Sequence, residues 1–216
     1  MTTMQSFTMN HDLYKYCLGK RKRPGTETAK AIDRLVSAAP DSENADDRGL
    51  LQEIASVLSN ASILDEDAFR FLRPLHGCGG SEGYVLDVER AVEAAFWKSL
   101  SERFADHQGL SYIAADAALL ADDPDSAREL FMQGLRIDPG TFPPFAVDWQ
   151  ELLSGTEWHF EYRLHLLAQA LKSDPEDSAA VLAELTDEYR GAPERQQSID
   201  DVARGGDVPR LTPRTG

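Results

Sequence analysis

Cysteine, long apolar runs and positive charge are all scarce in this chain, and each scarcity excludes a class of protein. The two cysteines in 216 residues, Cys17 and Cys78, lack the spacing of a disulfide framework or a metal site, so we expect reduced thiols. No apolar run is long enough to span a bilayer, and the N-terminus lacks the apolar stretch of a signal peptide. The sequence therefore predicts a cytoplasmic protein.

The shortage of positive charge bears on the kind of partner. The chain has 22 Lys and Arg against 37 Asp and Glu, a net charge of −15. Residues 41–200 are the most acidic, with 12 basic against 32 acidic side chains. Such a surface repels nucleic acid phosphates and anionic membranes and attracts basic surfaces. We therefore expect no nucleic acid and no membrane as partner. The competing interpretation is that the acidity serves solubility alone.

Apolar residues recur with helical spacing along most of the chain, and no stretch alternates with the period of a strand. We therefore predict an all-α protein. The predicted helices cover residues 26–39, 48–58, 65–75, 85–104, 110–121, 126–137, 144–153, 157–172 and 177–189. The predicted organisation is an N-terminal arm at 1–25, a helical region at 26–107, helical hairpins at 108–190 and a disordered tail at 191–216.

A ten-residue recurrence indicates how the second half is built. Residues 130–139 and 166–175 share Leu, Gln, Leu, Asp and Pro at the same positions and carry conservative exchanges at three others. A recurrence of this size points to stacked helical hairpins, each too small to bury its apolar face alone. We expect antiparallel hairpins over about 108–173, with Pro139 and Pro175 directly after helix ends.

The spacing of Ala127, Phe131, Gly134 and Pro139 resembles the second helix of a tetratricopeptide repeat, A-x3-F-x2-[AG]-x4-P. The resemblance covers about residues 108–190 and implies an α-solenoid whose first helices line a concave surface. The residues that it places on this surface, as the expected partner-binding site, are Tyr112, Asp116, Leu120, Phe145, Asp148 and Trp149. For Phe145 and Trp149 a position in the core is the competing interpretation.

Two further patterns suggest chemical sites. Arg70 and His76, with five residues between them, resemble the Arg-x4-6-His element of HEPN ribonucleases, which implies action on a ribose hydroxyl and its phosphate. The competing interpretation is a histidine that caps a turn, followed by a loop at 76–80 that carries a free thiol. Glu157, Glu161 and His165 share a helical face, but the outer two lie about 12 Å apart by helix rise, so we interpret them as a solvated polar stripe.

No nucleophile, acid and base converge in the sequence, and we expect no catalytic residue, no metal and no cofactor. The favoured function is a non-catalytic, bacterial-type protein-binding module that engages a basic protein surface. It would act either as an adaptor or chaperone, or as an immunity-type protein that neutralises a toxin. The alternative is a HEPN-like ribonuclease that uses Arg70 and His76. The oligomeric state stays open.

Overall fold

The computed structural model describes residues 26–38, 47–76, 86, 88–138, 149–173 and 175–210. Within these ranges all regular structure is helical and no strand occurs, which confirms the predicted all-α class. The helices are α1 (Glu27–Ala38), α2 (Asp47–Ser59), α3 (Glu66–Leu72), α4 (Arg90–Arg103), α5 (Gln108–Leu120), α6 (Pro124–Ile137), α7 (Trp149–Leu153), α8 (Glu157–Ser173), α9 (Pro175–Glu188) and α10 (Pro193–Ala203). A 3₁₀ turn, Arg73–His76, follows α3 directly.

The chain forms two compact units, and the division falls inside α6. Described residues up to Leu130 belong to the first unit and those from Phe131 onward to the second. Each unit contains helices that pack on their neighbours, an arrangement compatible with a helical repeat array. The division differs from the boundary at residue 108 that the repeat pattern suggested.

The first unit has its core between α1, α2, α3, α4 and α5. Helix α1 packs against α2 and α3, and α4 packs along α5. The apolar stripe of α1 is buried as its spacing predicts, through Ala29, Ile32 and Val36. On α4, Trp97 is fully buried while Ala91 and Ala95 are exposed. An indole removes far more apolar area from water than two alanines do, so its burial decides the orientation of the helix.

The second unit is organised around α8, which packs against α7, α9 and α10. Its core consists of Phe160, Leu164, Leu167, Leu185, Ile199 and Val202. The sequence predicts that Pro139 and Pro175 each lie directly after the end of a helix, and the structure describes one of these two places. Helix α8 ends at Ser173 and α9 opens with Pro175, since a proline is well tolerated in the first helical turn. Pro139 lies outside the described residues.

The predicted disordered tail is corrected where the structure describes it. Residues 193–203 form α10, and Ile199 and Val202 on this helix are buried against the core of the second unit. The segment is polar in composition, but two apolar residues three positions apart are enough to dock a helix on a neighbour. The predicted N-terminal arm at 1–25, residues 77–85 with most of the predicted loop at 76–80, and residues 211–216 lie outside the described residues.

Candidate functional site

The first unit holds a buried polar cluster that joins three helical segments. The 3₁₀ turn after α3 places His76 against α4 and α5. Its Nδ1 lies 2.7 Å from Glu93 Oε1, and its Nε2 lies 2.9 Å from Asp116 Oδ2. The Trp97 indole N–H donates to the same Glu93 oxygen at 3.2 Å. The side chain of His76 has no exposed surface, whereas those of Glu93 and Asp116 are each 16% exposed.

The hydrogen bonds of this cluster limit the chemistry that His76 has available. A neutral imidazole offers one donor and one acceptor, whereas ionised carboxylates only accept. Each ring nitrogen of His76 contacts one carboxylate, so neither nitrogen is left for a substrate. The predicted turn-capping role of His76 is wrong, because its partners are carboxylates on two other helices. Arg70 is paired with Asp67 on its own helix, and its guanidinium lies 5.6 Å from the Phe71 ring centre.

The residues predicted to bind a partner have different environments. Tyr112 is only 4% exposed and accepts a hydrogen bond from Gln108 Nε2 at 3.2 Å. Asp116 is engaged by His76. Trp149 is 6% exposed and stacks on Phe131 at 4.1 Å with 11° between the ring planes, which favours the core interpretation. Leu120 alone of these four is well exposed, at 45%.

Phe145 and Asp148, the other two predicted binding residues, lie outside the described residues.

Leu120 is followed by an acidic turn that connects α5 to α6. Asp122 adopts a left-handed backbone conformation with φ of 62°, and Asp123 accepts the Ser126 backbone N–H at 3.1 Å as the cap of α6. The hydrogen bonds of the Ser126 side chain and backbone lower the pKa of Asp123 below its ordinary value. Asp122, Asp123 and Asp125 are all exposed. We call Leu120 and these three aspartates the Leu120 patch.

In the second unit the structure corrects the predicted solvated stripe on α8. Glu161 is completely buried and receives two hydrogen bonds from Arg136, from Nε at 2.6 Å and from Nη2 at 2.9 Å. His165 is also buried. Only Glu157 is exposed, and it lies 3.4 Å from Arg195. Burial of Glu161 is made tolerable by the bidentate arginine, and no local sequence pattern predicts this pair across 25 residues.

The described ranges also bear on two other classes of site. No group of three or more His, Cys, Asp or Glu side chains is arranged to hold a metal ion there. None of the described helices has the length and apolar character needed to cross a membrane.

Within the described residues the protein is all-α with packed neighbouring helices, a histidine enclosed between two carboxylates, and an exposed leucine followed by an acidic turn. Comparison with protein-family models, with curated protein sequences and with solved structures found no match.

Proposed function

We propose that this chain is a non-catalytic protein-binding module that engages a basic surface of another protein through the Leu120 patch. The observation that carries the proposal is the exposure of Leu120 at 45% directly beside three exposed aspartates. An apolar anchor surrounded by charge is a common composition for a contact surface, because the anchor supplies affinity and the charges supply speed and selectivity.

The repeat-like pattern and the charge support the same proposal. Tetratricopeptide-like hairpins, which residues 108–190 resemble, generally present binding surfaces. The net charge of −15 favours a cationic partner over an anionic one. Both versions of the function, an adaptor or chaperone and an immunity-type inhibitor of a toxin, use such a surface, and the partner's identity separates them.

Comparative capture from the native host tests the proposal. Tagged wild type, Leu120→Ser, the double variant Asp122→Asn/Asp123→Asn and the control Ile137→Ser are used as baits, followed by quantitative mass spectrometry. Asparagine keeps both the left-handed backbone conformation and the helix cap, so the double variant removes charge alone. Ile137 is 36% exposed and lies outside the patch, which makes it a matched apolar control.

We expect at least one basic protein to be retained by wild type and by Ile137→Ser, and to be lost or reduced with both patch variants. Equal retention by all four baits would remove the Leu120 patch as the binding site. Recovery of acidic proteins alone would remove the electrostatic argument.

The ribonuclease alternative rests on the spacing of Arg70 and His76. The enclosure of His76 between Glu93 and Asp116 argues against its use on a substrate, because a general base must reach the proton that it removes. We expect purified protein to leave single-stranded RNA intact. Cleavage that disappears in both Arg70→Ala and His76→Ala, with each variant folded by circular dichroism, would replace the binding proposal with the ribonuclease.

A further inference from the structure

A cleft of about 470 Å³ opens on the second unit, and its walls come from three parts of the chain. The end of α6 contributes Arg136, α8 contributes one face, and the segment after α10 closes the third side. That segment turns back through a Schellman motif, in which Gly205 N–H donates to Val202 O at 2.9 Å and Gly206 N–H to Asp201 O at 2.8 Å.

Both glycines are needed for this turn. Gly205 has φ of +88°, and a Cβ atom on Gly206 would lie 2.8 Å from the Asp201 carbonyl oxygen. The wall formed by residues 207–210 therefore depends on a specific backbone geometry.

The charge of the cleft is opposite to that of the protein. Its lining includes three cations, Arg136, Lys172 and Arg210, and two carboxylates, Glu161 and Asp207. With His165 counted as neutral, the excess is one positive charge. Arg136 and Glu161 bind each other, but Lys172 and Arg210 have no salt bridge or hydrogen bond within the described part of the chain. In a chain of net charge −15, this local excess marks a place for an anion.

His165 supplies a second, independent indication. It lines the cleft and is only 4% exposed, yet neither of its ring nitrogens has a hydrogen-bond partner among the described residues. Its Nε2 lies 3.8 Å from Glu161 Oε1, beyond hydrogen-bond distance. Buried polar groups are nearly always paired, and leaving one unpaired costs stability. Both ring nitrogens are closed to solvent, so a bound molecule that carries a hydrogen-bonding group would satisfy this ring once the ring turns toward the cleft.

The remaining wall is apolar and is formed by Ala168, Leu171, Val202 and Val208. Leu171 is 39% exposed, a large fraction for a leucine beside a cleft. Small-molecule sites typically combine such a wall with a few polar groups in a volume of about 300–1,000 Å³.

We propose that this cleft binds a small organic monoanion, a carboxylate on an apolar body. Lys172 and Arg210 hold the carboxylate, and the apolar wall holds the body. The ring of His165 turns toward the cleft when the ligand is bound and gains a hydrogen bond. The excess of a single positive charge fits a monoanion, and the carboxylates of Glu161 and Asp207 disfavour a dianion such as phosphate. This site shares no residue with the Leu120 patch. The chain would therefore bind a small molecule in addition to a protein partner.

Titration of full-length, ¹⁵N-labelled protein with simple probes tests the ligand chemistry. The probes are octanoate, octylamine of the same chain length, acetate without the apolar body, and inorganic phosphate. We expect octanoate to bind and to shift the amide signals of Gly205 and Gly206 together with the ring nitrogens of His165. Absence of octanoate binding, or equally tight binding of octylamine, acetate or phosphate, would overturn the proposal.

Variants test the location of the site. Lys172→Gln and Arg210→Gln should each weaken octanoate binding by about tenfold, since each removes a charge-assisted contact. Arg190→Gln removes the same charge from an exposed position outside the cleft and should leave the affinity unchanged. His165→Phe should weaken octanoate binding. The shifts that octanoate causes in the amide signals of Gly205 and Gly206 should remain visible in this variant. If the three cleft variants bind octanoate as wild type does, or if Arg190→Gln weakens binding equally, the cleft is not the site.

Discussion

His76 shows how one side chain can serve structure where the sequence suggests chemistry. Its spacing from Arg70 is visible in the sequence, but Glu93 and Asp116 lie 17 and 40 residues away from it. No local pattern announces such partners. The sequence therefore marks His76 as a candidate functional residue. Its environment is determined by the packing of α4 and α5 around the 3₁₀ turn that carries it.

His76→Ala should destabilise the protein by about 3 kcal/mol, because it leaves two carboxylates facing each other with no shared donor. Urea unfolding followed by circular dichroism measures the change. His159→Ala is the matched control. His159 lies 3.9 Å from Glu188, beyond hydrogen-bond distance, so its loss should cost less than about 1 kcal/mol. A loss below 1 kcal/mol for His76→Ala would show that the cluster does not hold the helices together.

A second histidine gives the protein a dependence on pH. His107 caps α5, since its Nδ1 accepts the Leu110 N–H at 3.3 Å, and its ring packs 4.3 Å from that of Phe69. Burial lowers the pKa of His107 below its usual 6.5, and Glu66 at 3.9 Å offsets this only in part. The folded state therefore favours the neutral ring, which is also the form that accepts the capping hydrogen bond.

Stability should fall as the pH drops below 6.5, because the unfolded chain then binds a proton that the folded state resists. His107→Asn keeps a capping acceptor without titrating, so its free energy of unfolding should fall less than that of wild type between pH 7.5 and pH 5.5. Urea unfolding at both pH values provides the comparison, in which the other titrating groups largely cancel. Parallel pH profiles for the two proteins would exclude His107 as the sensor.

At the scale of elements, the recurrence in the sequence points to equivalent positions in two helices. Phe131 on α6 and Leu167 on α8 occupy the same place in the ten-residue repeat, and both are completely buried. The neighbours differ, because Phe131 stacks on Trp149 whereas Leu167 belongs to the cluster with Leu185 and Ile199. The recurrence thus pairs the two positions, whereas the structure shows that both are buried and what surrounds each of them.

Phe131→Ala should cost roughly 3–5 kcal/mol and Leu167→Ala roughly 2–5 kcal/mol, since both leave a cavity in a packed core. Ile137→Ala should cost less than about 1 kcal/mol, because Ile137 belongs to the same ten residues as Phe131 but is partly exposed. Chemical denaturation of the three variants measures these values. A cost below 1 kcal/mol at Phe131 or Leu167 would contradict the equivalence of the two positions.

For the whole molecule, the dominant feature is the negative charge. Attraction to a cationic partner acts over about 10 Å at 0.1 M salt and over about 3 Å at 1 M salt. Charge should therefore govern how fast the partner is reached, while buried contacts govern how long it stays.

Association with the partner identified by capture should slow by about tenfold or more as salt rises from 0.05 to 1 M. Asp122→Asn/Asp123→Asn should lower the rate at low salt and flatten its salt dependence. The control Glu53→Gln/Glu102→Gln removes the same charge from other exposed positions and should change the rate less. Stopped-flow measurement decides the matter, and a rate indifferent to salt would leave the acidity with a role in solubility alone.

The sequence by itself determined the all-α class and the approximate bounds of most helices, because apolar spacing and turn residues are local signals. It also put Phe131 and Leu167 at the same position of the ten-residue recurrence. Tertiary structure alone decided the enclosure of His76, the burial of Trp149 and the pairing of Arg136 with Glu161. The same holds for α10. Its polar composition suggested disorder, but Ile199 and Val202 pack in the core of the second unit. In each case the deciding partner is distant along the chain, and only folding brings it within contact.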